Sequence, residues 1–316
     1  MTHTIFIDGE AGTTGLEIRE RLEARNDLEL ILLGERRRDV EARREALNSA
    51  DAVILCLPDD AAKEAVSMIE NPGVRVIDAS TAFRVDPAWT YGFAEMDAGQ
   101  RAAIAASTRV SNPGCYPTGF IGLMRPLVRA GLVPGTHPVT VNAVSGYSGG
   151  GKAMIAEFEA PKNADGRAST AYRAYGLPLK HKHVPEMTLH TGLSRNVLFA
   201  PAVGNYRQGM LVEVPLHLSA LPETPSVERL HGALVEAYDG QRFVEVADLD
   251  ETEAMGGIEP EALNGTNRMR LHVFGDRGGE QARLVAMLDN LGKGASGAAV
   301  QNLNIMLGLD EATGLV

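Results

Sequence analysis

Two cysteines stand in this 316-residue chain, in different surroundings. Cys56 lies inside the apolar run 52–57 (AVILCL) and reads as an inert, buried thiol. Cys115 lies in Ser111-Asn112-Pro113-Gly114-Cys115-Tyr116-Pro117-Thr118-Gly119, a turn signal followed by an apolar helical stretch over 119–130. That order predicts Cys115 at or just before a helix N-terminus, where N–H groups and the helix dipole favour a thiolate. Such a thiolate is suited to attack on an acyl carbon. The Asn-Pro-Gly turn points to a constrained loop and not to core. A cysteine nucleophile commonly works with an imidazole. His181-Lys182-His183-Val184-Pro185-Glu186 supplies two imidazoles and a carboxylate within six residues. A histidine there can take the thiol proton and polarise or protonate an acyl oxygen, and the carboxylate can fix a tautomer. His-x-His could also chelate a metal, but no further group of metal-ligand type accompanies it, so no metal is expected. On a helix, residues two apart point to different faces, so only one of His181 and His183 reaches the thiol. Spacing leaves open which.

Three segments suit anions. Residues 4–8 (TIFID) form a strand, followed by Gly9, Gly12 and Gly15 in a G-x-x-G-x-x-G loop, with Thr13 and Thr14 at the start of a helix. Glycines let the backbone turn sharply against a pyrophosphate, and the helix N-terminus offers N–H groups to it. The second strand runs into Gly34-Glu35-Arg36-Arg37-Arg38. Glu35, 20 residues after Gly15, suits a ribose hydroxyl and NAD. The arginines, Arg36 first, suit a 2′-phosphate and favour NADP(H). Arg84, in the turn 78–84 after a strand, could clamp a phosphate or carboxylate in two-pronged fashion. Residues 144–152 (VSGYSGGGK) offer Ser145 and backbone N–H groups to an anion or oxyanion. Ala153 breaks the P-loop pattern.

The elements behind these segments divide the chain. Strand-like runs at 4–8, 28–33, 52–57 and 74–78 alternate with helical stretches at 15–24 and 60–70. This predicts α/β structure: a Rossmann-type, doubly wound parallel sheet covered on both faces. Longer, alternating runs at 139–144, 209–218, 268–274 and 281–288, with helices over 119–130 and 226–238, predict an α+β domain with a mainly antiparallel sheet. The change of pattern places a boundary near residue 113. The tail 294–309 is again helical.

Composition narrows the class. Hydrophobic residues make up 44% and charged residues 22%, which excludes a largely disordered chain. The net charge of −11 speaks against nucleic acid or an anionic membrane as partner. Two cysteines make no disulfide framework, which fits a reducing compartment. No apolar run reaches about 18 residues and no leader pattern opens the chain, so a cytoplasmic protein is expected.

Taken in order, the 9–15 loop, the 80–84 turn, residues 111–118, residues 145–152, the 181–186 motif and the tail 289–302 resemble the short form of the N-acetyl-γ-glutamyl-phosphate reductases. That family is similar to the aspartate-semialdehyde and glyceraldehyde-phosphate dehydrogenases. The resemblance implies NADPH-dependent reduction of N-acetyl-glutamyl 5-phosphate to N-acetyl-glutamate 5-semialdehyde in arginine biosynthesis, through a thioester. It implies Cys115 as nucleophile and His181 as acid/base. Arg84, Ser145, His183 and Glu186 would contact substrate. Gly9, Gly12, Thr13, Thr14, Gly15, Arg36, Asn290 and Gly294 would contact NADP(H). It implies a dinucleotide-binding domain of residues 1–113 plus 290–316, whose returning tail closes the nicotinamide site. Residues 114–289 would form a catalytic domain of the glyceraldehyde-phosphate dehydrogenase kind. It also implies a homo-oligomer, dimer or tetramer, acting on a small molecule. Rival readings are an aspartate-semialdehyde type enzyme, a Cys-His hydrolase and a non-catalytic NADP-binding module.

Overall fold

The computed structural model describes residues 2–34, 36, 39–160 and 170–316. The expectations for Glu35, Arg37 and Arg38 lie outside them. The chain forms two compact units, one of Met1–Ala94, Ala98–Gly114 and Ala295–Val316, the other of Glu95–Asp97 and Cys115–Gly294.

In the first unit, β1 (His3–Asp8), α1 (Thr13–Glu23), β2 (Leu28–Ile31), α2 (Val40–Ser49), β3 (Ala52–Leu55) and α3 (Asp59–Ser67) alternate. They continue into β4 (Arg75–Asp78), β5 (Thr90–Tyr91), α4 (Gln100–Ala106) and β6 (Arg109–Ser111). The strands form a six-stranded sheet in the order β2-β1-β3-β4-β6-β5. Its ladders are all parallel. Side chains alternate between two cores, as the pleat requires. Ile5, Ile7, Ile54 and Ile77 face one cluster with Ile18 and Leu22 of α1. Phe6, Val53, Leu55 and Val76 face the other, with Leu47 of α2 and Ala62 of α3. The doubly wound expectation is therefore met. Helix α2 was not read from sequence, although Asp39 caps it by accepting from Glu41 N and Ala42 N.

The second unit holds α5 (Cys115–Arg129), β7 (Thr140–Gly146), α6 (Gly151–Phe158), β8 (Tyr172–Ala174), α7 (Val184–Thr191), β9 (Leu198–Gly204) and β10 (Met210–His217). It is completed by α8 (Val227–Tyr238), β11 (Val244–Val246), α9 (Leu249–Ala254), β12 (Met269–Gly275) and β13 (Gln281–Leu288). Its seven strands run β11-β12-β13-β10-β7-β9-β8. The sheet is mixed. The central ladders are antiparallel, but β7–β9 and β11–β12 are parallel. The long excursion through α6, β8 and α7 lets β9 return in the same direction as β7. Strand β9 escapes a sequence reading because Pro201 interrupts it. Pro201 lies at the end of the ladder with β8, where its carbonyl accepts from Tyr175 N at 3.1 Å and its missing N–H stops the pairing. Helices α5 and α8 pack against the sheet. Residues on β10 alternate between buried and more exposed positions throughout, and those on β7 and β9 do so until their last residues, which are all buried. Finally α10 (Gly297–Leu307) returns to the first unit, where Val300 and Leu303 join the cluster of Ile5 and Ile7.

One core residue is expected to make the fold acid-sensitive. His272 of β12 is fully buried, and neither ring nitrogen has a hydrogen-bond partner. Burial first, then the charge of Arg270, lowers its pKa below 6.5, against a smaller opposite pull from Glu251 and Glu245. The fold accepts the neutral ring. Its contribution is thus fully present above pH 6.5 and is lost as the pH falls from there towards the depressed value. We expect the melting temperature to drop below about pH 6.5, and His272→Leu to flatten that drop. An unchanged slope in the variant would assign the acid sensitivity elsewhere.

Candidate active site

In the first unit, the loop after β1 is built for close backbone approach. Gly9 has φ +92°, and a Cβ there would lie 2.4 Å from the Cys56 carbonyl oxygen. A Cβ on Gly15 would meet the Gly9 oxygen at 2.4 Å, while Gly12 N donates to that oxygen at 2.9 Å. Gly12 is the N-cap of α1 and no side chain caps the helix, so the first N–H groups are left for a ligand. Thr13 Oγ1 is buried without a partner. This loop sits where strand order reverses between β1 and β3, the ligand edge of such sheets. A cleft of about 360 Å³ beside it is lined by Phe6, Asp8, Gly9, Leu33, Arg43 and Leu57. These features fit a dinucleotide's pyrophosphate and adenosine. Arg36 is exposed on the turn after β2. Arg43 escaped the sequence reading: its Nε donates to Asp8 Oδ2 at 2.8 Å. Burial nevertheless holds Asp8 above its ordinary range.

The turn after β4 is held from beneath. Ser80 Oγ donates to Asp78 Oδ2 at 2.7 Å, and burial pushes the Asp78 carboxyl up to about 6. Burial, with the charges of Asp78 and Asp8 behind it, pushes the Cys56 thiol up to about 12, as suits an inert cysteine. Arg84 differs from expectation. Its Nε donates to Asn112 O at 2.9 Å and its Nη2 to Ala79 O at 3.0 Å. Two of its five N–H donors are thus engaged by main-chain carbonyls. Asn112 is a hub: its N donates to Asp78 O at 2.7 Å and its Nδ2 to Ala295 O at 2.9 Å. Its Oδ1 accepts from Asn302 Nδ2 at 3.1 Å. Residues 112–114 are consequently buried, which corrects the expectation of a loop outside the core.

In the second unit, Cys115 is the first residue of α5. Pro117 falls in the first turn, where its missing N–H costs no helical bond. The next residue, Tyr116, is buried beneath it. Tyr116 OH donates to Ser145 Oγ at 2.9 Å and approaches Ala202 O at 3.2 Å. Ser145 Oγ in turn donates to Gly146 O at 3.1 Å. Tyr175 OH donates to Tyr116 OH at 3.2 Å. Burial, with Cys115's charge adding to it, pushes Tyr175 up to about 12. Ser145, expected to face an anion, is a buried link in this hydroxyl chain. The two phenols were not singled out from sequence; Tyr116's place beside the cysteine was the available signal.

The histidines separate by burial. His183 is 7% exposed at the N-cap of α7, and Glu186 is 1% exposed. His181 is half-buried. Its ring lies edge-on to Tyr175 at 5.7 Å and to Phe199 at 5.1 Å. His181 Nδ1 accepts from His183 N at 3.2 Å, which leaves Nε2 to carry the proton of the neutral ring. Burial, then Lys182, lowers the His181 pKa, while Glu186 pulls it upward. Among the described residues no group of three or more His, Cys, Asp or Glu side chains could hold a metal.

The turn after β13 carries Asn290 and Gly294, the two residues of the tail expected at the cofactor. Asn290 Nδ2 donates to Ser148 Oγ at 3.0 Å, and its Oδ1 accepts from Gly209 N at 2.8 Å. Both ends of its amide are therefore committed inside the second unit. Gly294 packs on the cysteine: a Cβ there would lie 2.8 Å from Cys115 Cβ.

The semialdehyde dehydrogenase NAD binding domain model matches residues 4–105, and the semialdehyde dehydrogenase dimerisation domain model matches residues 115–290. The N-acetyl-gamma-glutamyl-phosphate reductase of Rhizobium etli is 57% identical over 309 residues, covering 97% of this chain and 99% of that protein. The reductase of the same name from Brucella anthropi is 56% identical over 310 residues, 98% of this chain and 99% of that one. Among solved structures, aspartate semialdehyde dehydrogenase II from Vibrio cholerae matches with a TM-score of 0.68 at 17% identity, covering 98% of this chain and 99% of that one. The aspartate semialdehyde dehydrogenase of Francisella tularensis matches with a TM-score of 0.69 at 15% identity, covering 97% and 100%. Those two likenesses speak for the fold alone. The chain belongs to the semialdehyde dehydrogenase family and, within it, to the N-acetyl-gamma-glutamyl-phosphate reductases. The resemblance read from the motifs is borne out.

Proposed function

We propose that the chain reduces N-acetyl-L-glutamyl 5-phosphate to N-acetyl-L-glutamate 5-semialdehyde, releasing phosphate, as a step of arginine biosynthesis. The 57% identity over 309 residues to a reductase of that name carries this reading. NADPH, when bound, supplies the hydride. The glycine loop, with Thr13 and Thr14, holds its pyrophosphate, and Arg36 serves its 2′-phosphate. The N-terminus of α5 favours the Cys115 thiolate, which attacks the acyl carbon. The new C–S bond forms first and leaves a tetrahedral oxyanion, whose collapse breaks the C–O bond to phosphate; phosphate departs and Cys115 carries the acyl group as a thioester. His181 donates from Nε2 to the acyl oxygen as negative charge develops on it. His183 supports this through its backbone N–H, and Glu186 through its charge. Arg84 braces Asn112. After reduction the hemithioacetal oxyanion collapses, the aldehyde leaves and the Cys115 thiolate returns.

No helix among the described residues is long and apolar enough to cross a membrane. We assign the protein to the cytoplasm, in keeping with cysteines that form no disulfide. We infer a homodimer or tetramer formed through the second unit. The dimerisation-domain match supports it, as do Leu198 at 47%, Tyr172 at 64% and Leu177 at 75% exposure.

The test runs the reaction backwards, with NADP, phosphate and either N-acetyl-glutamate semialdehyde or aspartate semialdehyde. We expect phosphate-dependent NADPH formation with kcat/KM at least about 10²-fold higher for the acetylated substrate. The opposite preference would make this an aspartate-semialdehyde type enzyme.

A further inference from the structure

Lys293 and Glu95 form an ion pair buried from solvent. Lys293 Nζ lies 2.8 Å from Oε1 and 2.7 Å from Oε2 of Glu95, with side-chain exposures of 2% and 0%. The Phe243 ring lies 5.5 Å from Nζ. Stripping water from two charges is expensive, and an apolar pair of similar volume commonly serves stability as well. Stability alone is therefore a weak reason for this pair, and its position supplies a better one.

Lys293 sits in the tight π-helical turn Gly292–Ser296, one residue before Gly294. The turn is seated closely: a Cβ on Gly292 would lie 2.0 Å from Thr266 O, and Gly294 N donates to Asp289 O at 2.9 Å. Gly294 lies against the nucleophile, since a Cβ there would sit 2.8 Å from Cys115 Cβ and 3.2 Å from its Cα. Glu95 begins the short piece Glu95–Asp97, which packs with the second unit. At the other end of that piece, Asp97 Oδ1 accepts from Arg125 Nε of α5 at 3.0 Å. The piece therefore ties the 292–294 turn, through Lys293, to the helix that carries Cys115 at its first residue.

We propose that Lys293 and Glu95 are a positioning pair for the Cys115 thiol: they seat the turn so that Gly294 forms one wall against the nucleophile and sets its orientation. This rests on the reading of Cys115 as the nucleophile. A single substitution strands a buried charge and endangers folding, so the test uses Lys293→Met/Glu95→Leu, which removes both charges, and Gly294→Ala beside it. Alkylation of Cys115 by iodoacetamide is followed across pH on the Cys115 peptide by mass spectrometry, with kcat, KM and melting temperature in parallel.

We expect the double variant to alkylate about ten- to a hundredfold more slowly at neutral pH, with kcat falling in proportion and KM within about threefold. Lys293→Arg should recover part of the loss. Wild-type alkylation and kcat in the folded double variant would overturn the proposal. If the double variant does not fold, Gly294→Ala decides: a slowed, folded enzyme supports the wall, and wild-type alkylation and kcat overturn it. Full turnover in Cys115→Ala would remove the nucleophile reading instead, and the alkylation profiles would still report whether the pair positions this thiol.

Discussion

Cys115→Ala should lose about 10⁴- to 10⁶-fold in kcat, with NADP(H) binding within about threefold of the parent. The two effects separate because the pyrophosphate loop and the cysteine belong to different compact units. The size follows from the chemistry. Without the thiolate there is no thioester or hemithioacetal, and hydride must pass to or from the substrate carbon without covalent activation. Cys115→Ser should fall nearly as far, because a serine hydroxyl carries almost no alkoxide at neutral pH. Stopped-flow NADPH formation from the semialdehyde, with cofactor titration by calorimetry, measures both quantities. Residual turnover within a hundredfold of the parent would refute covalent catalysis at this residue.

His181→Gln should cost about 10²- to 10⁴-fold in kcat/KM. With Nδ1 accepting from His183 N, the neutral ring donates from Nε2, and glutamine offers an amide N–H in its place without relaying a proton. The pH profile discriminates further. Burial lowers the His181 pKa, so in the parent the neutral ring prevails from above 6.5 down to that depressed value, and any acid limb due to His181 lies below 6.5. Protonation puts a hydrogen on Nδ1 and breaks the bond from His183 N that orients the ring, so activity falls as the pH falls through that value. In His181→Gln that limb should vanish from log(kcat/KM) against pH. A variant that keeps the parent limb, or stays within threefold of parent activity, would move the role to another group. His183→Gln is the companion measurement. Its backbone N–H is retained, so the hydrogen bond that orients His181 survives, and the loss should be smaller.

The chemistry-bearing segments were legible because each depends on local order. Gly9, Gly12 and Gly15 sit between a strand and a helix, and any strand-to-helix turn of that kind brings N–H groups together. Cys115 follows Asn-Pro-Gly and precedes an apolar run, and it is the first residue of α5. The alternation of strand and helix up to residue 78 was enough for the doubly wound sheet. The second sheet was legible only as strands. Which of them run parallel depends on chain excursions through α6, β8 and α7, and neither β8 nor β9 carries a clear strand pattern.

Partners for polar side chains were not legible at all. Arg84 and Ser145 have the types an anion site would use, yet one fork donates to the carbonyls of Ala79 and Asn112, and one hydroxyl joins Tyr116 to Gly146. Asn290 likewise binds Ser148 and Gly209. A buried donor must be satisfied by whatever acceptor the fold brings near, and those acceptors come from distant positions in the chain. The same rule hid the Glu95–Lys293 pair, 198 residues apart in sequence.

Sequence by itself therefore determined the family, the glycine turn between β1 and α1 and the place of Cys115 at the start of a helix, because residue type and nearest neighbours dictate them. Tertiary structure decided that His181, the more exposed of the two imidazoles, accepts at Nδ1 from His183 N, that Gly294 lies against Cys115, and which partners the buried polar groups take. Those outcomes depend on burial and on hydrogen bonds between remote segments, which exist only once the chain has closed on itself.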